Sequence, residues 1–147
     1  MDNALRMTGM ALRAGRLEAG EDPAGDACRG MRCRLLLTAS DAAGGTLRRA
    51  ERFAEEGACL LLRLPYTKAE LGEALGRGSC AIAAITDLGL ARAVAEKLAQ
   101  KDAAQYGEIA ERLRLKAERA AQRREKTAKD RQNRMGRQRP SVQNKKK

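Results

Sequence analysis

The 147 residues leave room for one compact domain and a tail, and a hydrophobic share of 43% is enough for a core. Phe53, Tyr66 and Tyr106 are the only aromatics and there is no His, which disfavours modules that stack RNA bases on sheet aromatics and removes His-based zinc sites and Ser-His or Cys-His catalysis. The net charge of +11 is concentrated at one end: residues 101–147 hold 16 Lys and Arg against 6 Asp and Glu, a net of +10, which leaves +1 for residues 1–100.

Asp2 or Asn3 caps a first helix, with Leu5, Met10 and Leu12 among its apolar positions and Gly15 as its stop. Arg16 to Gly20 is a short extended piece. Asp22-Pro23 then starts a short helix that ends near Gly30, with Asp as N-cap and Pro at the first helical position. Arg34 to Ala39 is a buried strand by its length and apolarity. A helix follows from about Thr46 to Glu56, with Leu47, Ala50 and Ala54 on one face and Gly57 at its end. Ala58 to Leu64 is a second strand, stopped by Pro65. Thr67 caps the next helix, with Glu70 at the capping-box position and Leu71, Ala74 and Leu75 inside. Gly76 to Ser79 is a tight loop and Cys80 to Ile85 a third strand. Asp87 begins a helix in which Ala91, Val94 and Leu98 repeat at helical spacing. Short apolar strands alternating with helices predict an α/β sandwich around a small central sheet.

Beyond Gln100 the pattern changes. Tyr106, Ile109 and Leu113 prolong a helical stripe briefly, but after Lys116 no large apolar residue occurs before Met135. Gly136 and Pro140 are expected to end any helix, and Lys145 to Lys147 to be disordered. The reading is therefore a globular domain over 1–100 and a basic helical or disordered tail over 101–147. Such a block of positive charge favours polyanions, nucleic acid first among them. It lacks the large apolar residues of a helix that lies on a membrane, so no membrane partner is expected. The tail cations expected on phosphates are Arg123, Arg124, Lys126, Lys129, Arg131, Arg134, Arg137 and Arg139.

Cys28, Cys33, Cys59 and Cys80 contain no C-x-x-C pair, and Cys59 and Cys80 fall in apolar runs and read as reduced core residues. No metal site and no cofactor is expected. The first residues lack the apolar stretch of a signal peptide, and no segment reaches transmembrane length, so the expected compartment is the cytoplasm. No catalytic constellation is visible, and an enzyme is not expected. Gly44-Gly45-Thr46 precedes a helix but lacks the Lys of a phosphate loop and the spacing of a dinucleotide fingerprint, which leaves a plain loop.

The more informative surface runs from Arg13 to Asp22. Arg13, Gly15, Arg16 and Gly20 lie beside a helix N-terminus whose N–H groups suit phosphate or base-edge acceptors, while Glu21 and Asp22 oppose an anion by charge. The loop of Gly76, Arg77, Gly78 and Ser79 is a second candidate. Each also has a plainer reading: turns with an Asp cap, and a helix-to-strand connection.

The order of the segments resembles the bacterial YlxQ-type branch of the kink-turn RNA-binding ribosomal-protein superfamily (the L-seven-Ae / L-thirty-e group) over roughly residues 4–99. The markers are Ala14-Gly15-Arg16-Leu17 with Gly20-Glu21-Asp22, then Leu35-Leu36-Leu37-Thr38-Ala39-Ser40-Asp41. Lys68-Ala69-Glu70-Leu71-Gly72 follows before the Gly76 loop, and Ala84-Ile85-Thr86-Asp87 closes the last strand. The resemblance implies a three-layer α/β/α sandwich around a small mixed sheet of about four strands. In RNA-binding members the second helix opens on a Gly-x-Asn-Glu-x-x-Lys signature that meets the sheared G·A pairs of a kink-turn. Matching Gly20 to its Gly puts Asp22 at the Asn position, Pro23 at the Glu position and Asp26 at the Lys position. Those departures imply weak binding to a standard kink-turn. The second RNA-contacting loop of the family matches Gly76 to Ser79. With the tail, the resemblance implies a non-catalytic binder of structured or ribosomal RNA, a partner of the ribosome. The alternative is a protein-interaction module on the same fold, associated with the ribosome through its tail.

Overall fold

The structure, a computed structural model, describes residues 2–145, and side chains as far as Met135. Its elements are α1 (Asn3–Arg13), β1 (Leu17–Ala19), α2 (Glu21–Arg29), β2 (Leu35–Thr38), α3 (Gly44–Gly57), β3 (Leu60–Arg63), α4 (Lys68–Ala74), β4 (Ile82–Ile85), α5 (Leu88–Lys101) and α6 (Ala103–Lys145). The four strands form one mixed sheet in the order β1-β4-β2-β3. β4 pairs antiparallel with both β1 and β2, with Ala84 opposite Glu18 on one side and Leu36 on the other. β2 and β3 run parallel, Leu36 opposite Leu61, with α3 as the crossover between them.

Side chains alternate across this sheet as the two-residue period of a strand requires. Leu35, Leu37, Ala83 and Ile85 point into a core shared with α1, α4, α5 and the start of α6, whereas Leu36, Ile82 and Ala84 point into a second core beneath α2 and α3. Helices on both faces of the sheet make the three-layer α/β/α sandwich that the alternating pattern predicts. Two caps read from the sequence are present. Thr67 Oγ1 accepts from Glu70 N at 3.1 Å while Glu70 Oε1 accepts from Thr67 N at 2.9 Å, and Asp87 Oδ2 accepts from Leu90 N at 2.8 Å.

Three boundaries differ from the sequence reading. α2 starts at Glu21 with Gly20 as its N-cap, so Asp22 is its second residue rather than its cap, and Pro23 sits where a helix has no internal use for an N–H. Gly44 and Gly45 form the first turn of α3 instead of a loop, and α3 runs through Gly57 to a left-handed residue at Ala58, φ 48°. Gly57 is the last residue of α3, as expected, and it also serves a close approach, since a Cβ there would lie 2.8 Å from the Cys28 carbonyl oxygen.

The third difference is the end of the globular part, placed by the sequence reading at residue 100. Tyr106, Ala110 and Leu113 repeat at helical spacing and are buried in the same core as α1 and α5, Leu113 completely. The compact unit therefore runs to Arg114, and Leu115–Lys147 form a second unit. From residue 121 to 135 every position is exposed. The expected stops at Gly136 and Pro140 do not interrupt α6. The run of Ala, Arg, Lys, Gln and Glu before them consists of strong helix formers. Lys146 and Lys147 lie outside the described residues.

Candidate nucleic-acid interface

The turn between β1 and α2 is built on Gly20. Its φ of 102° and ψ of 162° belong to a region that only glycine occupies without strain. Gly20 N donates to Ile82 O at 2.9 Å, which ties the turn to the first residue of β4. With no side chain at the N-cap, nothing from that position covers the amides of Glu21 and Asp22. Gly20 and Glu21 are half-buried and Asp22 is exposed, so the positive end of the helix dipole lies near the surface.

The loop between α4 and β4 lies beside this turn. Arg77 Nη1 donates to Ala19 O at 3.2 Å, and a Cβ on Gly20 would be 3.7 Å from the same nitrogen. The loop is held from below by Arg77 N to Gly72 O at 2.8 Å and Cys80 N to Lys68 O at 3.0 Å. Its base is tight: a Cβ at Gly72 would meet Ser79 Cα at 2.5 Å. Gly76, Arg77, Gly78 and Ser79 are all exposed. The fold thus joins two of the segments singled out in the sequence, 58 residues apart, into one glycine-rich surface.

The Arg13–Arg16 segment divides. Arg13 turns back along α1: its Nη1 would be 3.4 Å from a Cβ at Gly9, and that Cβ would be 2.6 Å from Ala74 O at the end of α4. This directs Arg13 toward the side of the Gly76 loop. Gly15, φ 73°, and the backbone of Arg16 sit at the opposite end of β1, where Arg16 O accepts from Thr86 N at 2.9 Å after β4 has ended. A single face containing Arg16 and Gly20 together is therefore not formed. The three residues of β1 lie between them, four steps of strand or about 13 Å.

Two pairings that the sequence does not reveal change the charge of this face. The Glu21 carboxylate accepts from Arg49 Nε, which brings a guanidinium of α3 to the first turn of α2. Asp26 pairs with Arg29 at 2.8 Å on the exposed side of α2. Two of the three carboxylates at the start of α2 therefore carry a cation. No local pattern points to Arg49, because its partner lies 28 residues away. Asp22 remains exposed in the first turn.

In the second unit, Arg123, Arg124, Lys126, Lys129, Arg131 and Arg134 are exposed along α6. At 100° per residue, Arg123, Arg124, Arg131 and Arg134 fall within an arc of about 100° on that helix. The side chains of Arg137 and Arg139 lie outside the described residues.

No family model and no curated protein matches the chain. Solved structures do. A protein of unknown function from Bacillus halodurans is 23% identical with a TM-score of 0.61, over 66% of this chain and 97% of that one. A 15.5kD RNA-binding protein from Giardia lamblia is 18% identical with a TM-score of 0.52, over 67% of this chain and 84% of that one. These likenesses define the class of fold: an α/β/α sandwich that an RNA-binding protein also adopts, in agreement with the fold that the resemblance in sequence implies.

Proposed function

We propose that the chain is a non-catalytic RNA-binding protein of the cytoplasm, with structured RNA, ribosomal RNA in particular, as its partner. The observation that carries this reading is the bond from Arg77 to Ala19. It sets a cationic glycine loop against an uncapped helix N-terminus, and such a surface suits phosphate oxygens and base-edge acceptors at close range. Arg13 and Arg49 border it. The exposed cations of α6 add affinity for phosphate without reading sequence. The fold shared with the Giardia RNA-binding protein supports the same reading. Among the described residues no helix is long and apolar enough to cross a membrane.

Pro23 and Asp26 make this a poor reader of a standard kink-turn, because neither can supply the hydrogen bonds and charge of the Glu and Lys they replace. The test is a gel-shift titration of residues 1–114 with a kink-turn RNA and with fragments of ribosomal RNA. Weak kink-turn binding that rises in the double variant Pro23→Glu with Asp26→Lys is the expected result. Tight binding of a kink-turn by the unmodified fragment contradicts the role given to these two positions. Failure of the fragment to bind any of the RNAs favours the protein-interaction reading.

A further inference from the structure

Three of the four cysteines, spread over 32 positions of sequence, converge on one point between α2 and α3. The sulfurs of Cys28, Cys33 and Cys59 all lie within 4.8 Å of one another, and Cys28 Sγ is 4.0 Å from Cys59 Sγ. None of the four cysteines is in a disulfide. Cys28 sits in the last turn of α2. Cys33 is swung back to it by a left-handed turn at Met31, φ 58°, and by the bond from Cys33 N to Ala27 O. Cys59 is delivered in the same manner from the end of α3, after left-handed Ala58, φ 48°. Met31 and Ala58 are the two non-glycine residues of positive φ among those described, and each immediately precedes or nearly precedes one of these cysteines. Gly57 lets the end of α3 rest on the backbone of Cys28. Cys28 and Cys33 are buried and Cys59 is half-buried, so the cluster has a closed floor and one open side.

We propose that Cys28, Cys33 and Cys59 form a three-thiolate site for a single thiophilic d10 cation, with Cu(I) as the best fit. Sulfurs bound at about 2.3 Å stand about 4.0 Å apart around a trigonal ion and about 3.8 Å around a tetrahedral one. The Cys28–Cys59 separation already has this value, and a small inward movement of Cys33 completes the triangle. Soft thiolates select Cu(I), zinc and iron–sulfur clusters. Structural zinc takes four protein ligands. The cluster contains three donors and no carboxylate or His among the described residues, which suits a three-coordinate ion. Burial first, and then the neighbouring Cys59, push Cys28 up to about 11, and a hydrogen bond with Cys59 together with burial raises Cys33 as well. A cation is held by thiolates rather than thiols, so its binding displaces protons and strengthens as pH rises. The sequence reading expected no metal site, since no spacing among these cysteines announces one. The tertiary fold alone brings them together.

The test uses the full reduced chain under anaerobic conditions, titrated with Cu(I) supplied as its acetonitrile complex against a chromophoric Cu(I) chelator. One equivalent per chain should bind, with a thiolate-to-copper charge-transfer band in the near ultraviolet. Each of Cys28→Ser, Cys33→Ser and Cys59→Ser should weaken it at least tenfold, and Cys80→Ser, in the other core, should leave it unchanged. Uptake indifferent to Cys33→Ser, or absent from the unmodified chain, overturns the proposal. X-ray absorption on the unmodified, copper-loaded chain needs no variant to fold. Three sulfur neighbours at about 2.3 Å are expected, and nitrogen or oxygen neighbours overturn the assignment.

Discussion

Arg77 Nη1 donates to the carbonyl oxygen of Ala19 at 3.2 Å, so a side chain from the α4–β4 loop fastens the turn that begins α2. Arg77 is exposed, and one hydrogen bond from a charged donor at the surface is worth about 1 kcal/mol or less. Arg77→Ala should leave the melting temperature of the protein nearly unchanged while lowering the RNA affinity of residues 1–114 roughly five- to tenfold. Arg16→Ala, at the far end of β1, should have the smaller effect. Filter binding of the two variants against one RNA separates them.

Gly20 and Asp22 exchange the roles that the sequence alone assigns to them. With Asp22 as an N-cap, Asp22→Ala would cost about 1 kcal/mol. In the structure it caps nothing, so the change should stay within about 0.5 kcal/mol. Gly20→Ala instead forces a Cβ into φ 102° and should cost about 1–3 kcal/mol. Urea denaturation of both variants measures the contrast, and an Asp22→Ala loss larger than that of Gly20→Ala would contradict the observed start of α2.

The buried stripe of α6 sets the limit of the folding unit. A fragment of residues 1–114 should melt cooperatively. A fragment of residues 1–103 loses Tyr106, Ala110 and Leu113 from the core and should be markedly less stable or molten by near-ultraviolet circular dichroism. In the full chain, Leu113→Ala should cost about 2–4 kcal/mol because the side chain is fully enclosed.

Much of this architecture is legible along the chain. The strands at Leu35–Thr38 and Ile82–Ile85, the capping box of Thr67 and Glu70, and the Asp87 cap are local patterns in which a few neighbouring residues decide the outcome. The errors arise where a distant partner decides. Gly57 ends α3 as its sequence suggests, but the contact with Cys28 that requires a glycine there is not visible along the chain. Leu113 reads only as the end of a brief helical stripe, and its place in the core is decided by α1 and α5 beside it. The candidate interface is half legible for the same reason. The Gly20 turn and the Gly76 loop stand out by composition, whereas the Arg49 partner of Glu21 and the convergence of the three thiols depend on side chains that no spacing rule connects.

Acid should loosen the start of α1. Asp2 stands at the N-cap position, yet its carboxylate is used elsewhere: it accepts from the Tyr66 hydroxyl and pairs with Lys101 Nζ at 2.6 Å. Burial works against ionisation there, but the bonds from Lys101 and Tyr66 outweigh it and hold Asp2 below its ordinary value of 3.8. A carboxylate with a lowered folded pKa contributes stability that is complete above its unfolded value and is lost as pH falls through the folded one. Asp2→Asn should therefore cost about 1 kcal/mol at neutral pH. The two proteins should converge in stability once the medium is acid enough to protonate Asp2. Parallel denaturation curves from pH 7 downward measure this, and a constant gap across the range would exclude Asp2 as the source.

The division of labour between a selective loop face and a non-selective basic helix is tested most directly by the salt dependence of RNA binding. Affinity of the full chain and of residues 1–114 for one ribosomal RNA fragment is measured across a salt series. Loss of the exposed cations beyond Arg114 should flatten the slope of log affinity against log salt, by about 0.7–0.9 for each phosphate contact removed. The binding that remains should respond to Arg77→Ala. An unchanged slope after truncation, or residual binding indifferent to Arg77, would contradict the account.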